Sequence, residues 1–151
     1  MSPYAWEPRV DEGLVTAVLL AAYLLSLRFF PASRGRVAAF GGGILLLVVA
    51  FQTPFETISL RYLLSAHLLQ NVILAEWAPL LAVLGVSRPM ARALARFPWW
   101  RLATHPAFAL PVWLGDYFFW HVPPVYDAAL RHQEWLIHLE HACYFGTGLL
   151  F

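Results

Sequence analysis

The 151-residue chain is 60% hydrophobic and 13% charged, with a mean hydropathy of +0.61; an ordinary globular domain is about 45–50% apolar and about 25% charged, so one small core cannot bury this much apolar surface. Ten basic residues, all Arg and scattered, balance nine acidic ones, which excludes a nucleic-acid reader working through a basic patch. A single cysteine, Cys143, excludes an internal disulfide framework and a multi-Cys zinc site, and the low hydrophobicity and high net charge that mark disorder are both missing.

The first apolar run, Gly13 to Leu27, follows Asp11 and Glu12 and ends at Arg28, Phe29, Phe30 and Pro31. It lacks the basic start and small-residue cleavage site of a signal peptide, and is therefore expected to be a retained membrane helix. The second run, Val37 to Phe55, is about as long as the ~20 residues that cross a bilayer core. Its triplet Gly41, Gly42, Gly43 would let a neighbouring helix approach closely. The third, Tyr62 to Val86, is interrupted by His67, Gln70, Asn71 and Glu76; the fourth, Ala107 to Trp120, contains Pro111 and Asp116. The fifth runs from Trp135 to Phe151, 17 residues or roughly 25 Å, short of a ~30 Å hydrocarbon core. Either that helix ends inside the membrane or the chain is part of a longer protein. No repeat, low-complexity tract or linker divides it. The expected fold is all-α, a single integral membrane bundle over residues 1–151 with about five transmembrane helices.

Alternating five helices across the bilayer places Arg28, Arg34, Arg36, Arg88, Arg92, Arg96 and Arg101 on one side, seven of the ten arginines with no acid among them. Arg9, Arg61 and Arg131 fall on the other side with Glu7, Asp11, Glu12, Glu56, Asp127 and Glu134. Lys/Arg bias sets orientation, so the arginine-rich side is expected to be cytoplasmic and the N-terminus outside.

That topology brings four imidazoles to one depth near the outer face. His67 opens the third helix, His121 closes the fourth, and His138 and His141 open the fifth. Ionisable groups in apolar helices are costly and face a bundle interior, a partner or a cavity. His67 and Asn71, four apart, share a face with Gln70, and His138 and His141, three apart, share another. Neutral imidazoles suit copper, zinc, iron or nickel, or the axial positions of a haem, with Glu140 or Asp127 to orient a ligand. A lone boundary histidine reads first as an interfacial hydrogen-bonding residue, and His105 and His132 are read as structural or solvated. Glu76 and Asp116 lie deeper, about 13 Å from His67 and about 7 Å from His121 along their helices, as a proton path, an inner metal stop or helix-to-helix hydrogen bonds. Cys143 and the tryptophans read as packing and interfacial anchoring residues. Soft sulfur ligands are absent from the outer cluster, so spacing leaves the metal open. Ser65 points away from His67, and no nucleophile with a positioned base, phosphate-binding loop or paired-carboxylate site appears, so catalysis is the least supported class.

The string Ser65-Ala66-His67-Leu68-Leu69-Gln70-Asn71 is followed by Ala78-Pro79-Leu80-Leu81 and Leu84-Gly85. Then come Trp120-His121-x-Pro123 with Tyr126-Asp127-Ala128-Ala129-Leu130, and His138-Leu139-Glu140-His141 with Gly146 and Gly148. From about Tyr62 to its end the chain thereby resembles the CtaG-type cytochrome c oxidase assembly factors. The resemblance implies a bacterial inner-membrane protein that assembles a haem-copper oxidase and handles copper, and a longer architecture of which these residues form the N-terminal part. Asn71 stands where the family pattern commonly has a histidine, and Glu76 is an unexpected acid in an apolar stretch.

Residues and resemblance lead to one expectation: an assembly factor or metallochaperone, not an enzyme. His67, His121, His138 and His141 hold copper transiently, Gln70 and Asn71 complete the pocket, with Glu76, Asp116 and Glu140 as possible supports, and the helices dock in the lipid bilayer on an oxidase subunit. A haem-binding membrane redox protein and a metal-free structural scaffold are the rival readings.

Overall fold

The computed structural model describes residues 2, 4–6, 9–132 and 135–151, and those residues form helices and connecting turns without a strand. Glu7 and Glu134, assigned above to the outer side, lie outside the described residues. Five long helical rods stand where the five apolar runs stand. Helix α1 spans Val10–Ser26 and opens with Asp11 and Glu12 in its first turn, where carboxylates complement the helix dipole. Helix α2 spans Arg34–Gln52, capped by Ser33, whose Oγ accepts the Arg36 N–H at 3.4 Å. It ends earlier than the apolar run does, because Pro54 cannot continue the hydrogen-bond ladder.

Pro54 instead starts a separate short helix, α3, Pro54–Arg61. Next, α4 (Leu64–Val72), a π-helical segment (Ile73–Trp77) and α5 (Ala78–Gly85) run on as one rod of 22 residues. The expected arginine-rich loop after it holds two short helices, α6 (Arg88–Leu94) and α7 (Pro98–Ala103). Helix α8, Pro106–Trp120, passes through Pro111 without ending, α9 covers Pro123–Arg131 and α10 covers Leu136–Leu150. All four short helices carry proline in their first two positions, where the missing N–H costs nothing and the fixed φ is already helical. Among the described residues two rods are long and apolar enough to cross a membrane: α2, with 19 residues, and Leu64–Gly85. Helices α1, α8 and α10 have 17, 15 and 15 residues.

The π segment sits at the centre of the packing. Ile73, Leu74 and Ala75 are buried against Leu47, Phe51, Ile137 and Tyr144. Pro79 has no N–H to return to the Ala75 carbonyl, and that carbonyl accepts the Trp113 indole N–H from α8 at 3.1 Å. Trp113→Phe is therefore expected to cost about 1–3 kcal/mol, the penalty of orphaning a buried acceptor, because ring stacking on Phe151 at 4.9 Å survives the change. Thermal unfolding of the detergent-purified protein, followed by circular dichroism, measures it.

Of the glycine triplet, only Gly43 sits at a tight crossing: a Cβ there would lie 3.0 Å from the Ala78 carbonyl of α5, whereas Gly41 faces open space. At one end of the bundle Tyr23 of α1 stacks on Phe40 of α2, with ring centroids 3.7 Å apart, and donates its hydroxyl to the Gly85 carbonyl at 3.0 Å. Arg36 donates to the carbonyls of Leu84, at 3.2 Å, and Val86. The opposite end gathers the starts of α1, α4 and α10 and the ends of α2 and α8: Gln52 donates to the Arg9 carbonyl at 2.6 Å and Asn71 reaches Glu140 at 3.4 Å.

Candidate metal centre

The histidine-bearing end contains a buried polar layer. His67, Gln70, Asn71, Glu56, Glu140 and His141 are each at most 3% exposed. Such burial is costly unless hydrogen bonds or counter-ligands compensate it. Two networks organise the layer.

The first fastens the entry helices. Gln70 accepts the Ser59 hydroxyl at 2.6 Å and donates to the Ala50 carbonyl at 3.0 Å and to Glu56. Pro54, four residues after Ala50, offers that carbonyl no N–H, so the Gln70 amide supplies it. Arg9 pairs with Glu56 at 3.1 Å. Burial pushes the Glu56 carboxyl above its usual range, while His141, the Gln70 amide and Arg9 act to lower it. Gln70 thus works as a strut between α2, α3 and α4, a role different from completing a histidine pocket.

The second network holds the imidazoles. Asn71 Nδ2 stands 3.5 Å from His67 Nε2 and 3.4 Å from Glu140 Oε1, linking α4 to α10. Asn71 therefore bridges an imidazole to a carboxylate. The His67 ring meets Tyr126 of α9 edge-on at 5.6 Å, and burial raises the Tyr126 hydroxyl pKa, as do the nearby charges of Glu140 and Asp127. His121 Nδ1 lies 2.7 Å from the Tyr117 carbonyl. A carbonyl accepts only from an N–H, so Nδ1 carries the proton and Nε2 the free lone pair. The His121 ring stacks on Tyr117 at 4.5 Å, and the Tyr144 hydroxyl approaches the same Nδ1 at 3.4 Å.

On the α1 side, His138 Nδ1 contacts Glu12 Oε1 at 2.5 Å, and His138 Nε2 contacts Asp11 Oδ2 at 3.1 Å. His141 Nδ1 is 3.7 Å from the same Glu12 oxygen, and its ring lies 5.2 Å from Phe51. Six buried side-chain atoms have no hydrogen-bond partner among the described residues: Glu12 Oε2, His67 Nδ1, Asn71 Oδ1, Glu140 Oε2 and both ring nitrogens of His141. Every one belongs to this second network.

Other sequence candidates stand elsewhere. Glu76 is exposed on the flank of the π segment, away from the imidazoles. Asp116 accepts the Trp120 indole and the Thr147 hydroxyl, each at 2.9 Å, and so ties α8 to α10 with both oxygens occupied. That is the helix-to-helix bond among the three readings offered for it. Asp127 is exposed and pairs with Arg131 at 3.7 Å instead of orienting a histidine. His105 caps α8 by accepting the Ala107 N–H at 3.2 Å, and His132 is exposed. Sequence reasoning passed over Asp11 and Glu12 as ligands and read them as topology markers. It also missed Tyr144, whose position three residues after His141 puts it on the same face of α10.

Four imidazoles and the carboxylates of Glu12 and Glu140 stand at one end of an apolar helical bundle, and among the described residues Asp11, Glu12 and His138 are the group whose ligand atoms lie within 4.8 Å of one another. Residues 17–151 match the model of the cytochrome c oxidase caa3 assembly factor family, and the chain belongs to that family. Searches of curated proteins and of solved structures return no match.

Proposed function

We propose that this protein is a membrane-embedded assembly factor that holds copper as cargo and passes it to a haem-copper oxidase, in the bacterial inner membrane, through an outward-facing imidazole chamber. The family supports the assembly role. The observation that carries the copper reading is the set of six unpartnered buried atoms confined to the imidazole network. Each orphaned buried polar group costs about 1–3 kcal/mol, and a cation bound among imidazole nitrogens and carboxylate oxygens offsets that cost. His67, His121, His138 and His141 supply the nitrogens, and Asn71 and Glu140 position them.

Five membrane-crossing helices are the arrangement that best suits the surface. Large apolar side chains stand exposed along all five rods, among them Leu14, Leu45, Leu80, Phe118 and Leu139. Water tolerates contiguous apolar surface poorly, and lipid tails accept it. The arginine bias then directs the chamber outward, where helices meeting an oxidase subunit would deliver the ion.

Copper measured by mass spectrometry on the detergent-purified protein is expected near one equivalent, and to vanish in the His67→Ala, His141→Ala double variant together with oxidase maturation in cells. Full maturation in that folded double variant would sink the reading. A Soret band in the purified protein would favour haem ligation instead.

A further inference from the structure

We infer that Glu12, His138 and His141 form a two-imidazole, one-carboxylate site for a divalent transition-metal cation, built between α1 and α10. For its cargo the site rests on the copper reading above; its donor set stands on geometry. Glu12 also precedes the stretch that matches the family, which begins at residue 17.

Two imidazoles converge on one carboxylate. Glu12 Oε1 is 2.5 Å from His138 Nδ1 and 3.7 Å from His141 Nδ1, and Glu12 Oε2 has no partner among the described residues. Around a tetrahedral ion with bonds of about 2.0–2.2 Å, donors stand roughly 3–3.5 Å apart. Among the described residues Asp11, Glu12 and His138 already bring ligand atoms within 4.8 Å of one another, and His141, 3.7 Å from Glu12 Oε1, must turn toward His138 to complete the triangle. His138 and His141 are three apart on α10 and therefore share a face. His141 is 3% exposed with both ring nitrogens unpartnered, so a buried imidazole without a bond points to a ligand that Glu12 alone does not provide.

The surroundings complete the site. One ion uses one nitrogen of His138, and Nδ1 is the one that shares Glu12 with His141. The ring proton then sits on Nε2, where Asp11 Oδ2 at 3.1 Å accepts it. A carboxylate on the far nitrogen fixes the ring and raises its basicity as a ligand. Arg9 Nη1 stands 3.4 Å from that nitrogen, while Arg9 Nε pairs with Glu56 Oε1 at 3.1 Å. A cavity of about 260 Å³ reaches the three donors between apolar walls of Leu19, Leu47 and Leu74, with exposed Asp11 at its edge as the way in.

Donor chemistry selects the cation. Two imidazoles and a carboxylate, with no thiolate or thioether lining the cavity, favour divalent ions over Cu(I), and Cu²⁺ heads the affinity order for such donors. The ion captured here is thus the oxidised one.

The test titrates copper(II) sulfate into the full chain in lipid nanodiscs, read by calorimetry and by electron paramagnetic resonance. One tight Cu²⁺ with superhyperfine splitting from two nitrogens is expected. Glu12→Gln keeps size and removes the charge, and should weaken binding about tenfold or more; Glu12→Asp, which withdraws the carboxylate by one methylene, should weaken it too; His132→Ala, at an exposed position outside the chamber, should leave it unchanged. Wild-type Cu²⁺ affinity in folded Glu12→Gln, or a spectrum without two nitrogens, overturns the inference. The wild-type spectrum decides even if both Glu12 variants fail to fold. Retained Cu(I) with no Cu²⁺ site overturns this inference while the assembly reading stands; no copper in either oxidation state overturns both.

Discussion

Replacing Gln70 by Leu is expected to destabilise the protein by about 3–5 kcal/mol, well beyond the loss of one ordinary hydrogen bond. Gln70 is fully buried and serves three partners on two helices, α2 and α3: the Ser59 hydroxyl, the Ala50 carbonyl and the Glu56 carboxylate. Leu fills much of the same volume, so packing changes little. What changes is that the Ala50 carbonyl and Glu56 Oε2 lose their Gln70 donor inside the core, while Arg9 still holds Glu56 Oε1, at about 1–3 kcal/mol for each orphaned atom and more where it is charged. Ser59 loses less, because its hydroxyl also bonds the Glu56 carbonyl at 2.9 Å. Thermal unfolding in detergent measures the total, and hydrogen exchange locates it, with deprotection expected first in α3, which Gln70 fastens to α2. Wild-type stability in this variant would mean that water, not Gln70, satisfies the Ala50 carbonyl. Gln70→Glu should be no milder, because it sets a second carboxylate against Glu56.

The physics of helices explains which features could be read from residues alone. Apolar runs such as Val37 to Phe55 are a local signal, and each of the five runs is matched by a helical rod. His67, His121, His138 and His141 are found near the ends of rods whose alternation places those ends together. The short helices were legible in principle, since Pro54, Pro89, Pro98 and Pro123 mark their starts, yet their six to nine residues of mixed polarity carry little periodicity.

Partners distant in sequence were not legible. Nothing near Glu12 says that it meets residues about 130 positions later, and its place before an apolar run gave it a sufficient local meaning. The same holds for Gln70 and Trp113. Proline at 54 and 79 announces that a carbonyl four residues earlier is short of a donor, but only the packed structure says which side chain supplies it. Asp116 illustrates the reverse: an acid in an apolar helix reads as chemistry, while two hydrogen bonds to Trp120 and Thr147 give it a structural task.

The second large effect is expected at Gly148. A Cβ built there would run into the Ala75 carbonyl and stand 2.7 Å from Pro79 Cγ, and neither obstacle can rotate aside, one being backbone and the other a ring. Gly148→Leu must therefore push α10 away from the π segment. Overpacking costs about 1–3 kcal/mol when side chains can yield and more when they cannot, so about 3 kcal/mol or a failure to fold is expected. Gly146, two residues earlier on the same helix, has nothing within 4 Å of its would-be Cβ. Gly146→Ala should then be neutral or stabilising by up to about 1 kcal/mol through helix propensity. The pair separates close approach from simple glycine loss, since both substitutions add a side chain to α10 but only one meets an obstacle. The displacement should also reach the chamber, because α10 carries His138, Glu140 and His141 on its other end. The milder Gly148→Ala, if it folds, should lower metal affinity without removing a single donor, read by the same copper titration; wild-type stability and affinity in Gly148→Leu would mean that α10 does not press on the π segment as the structure has it.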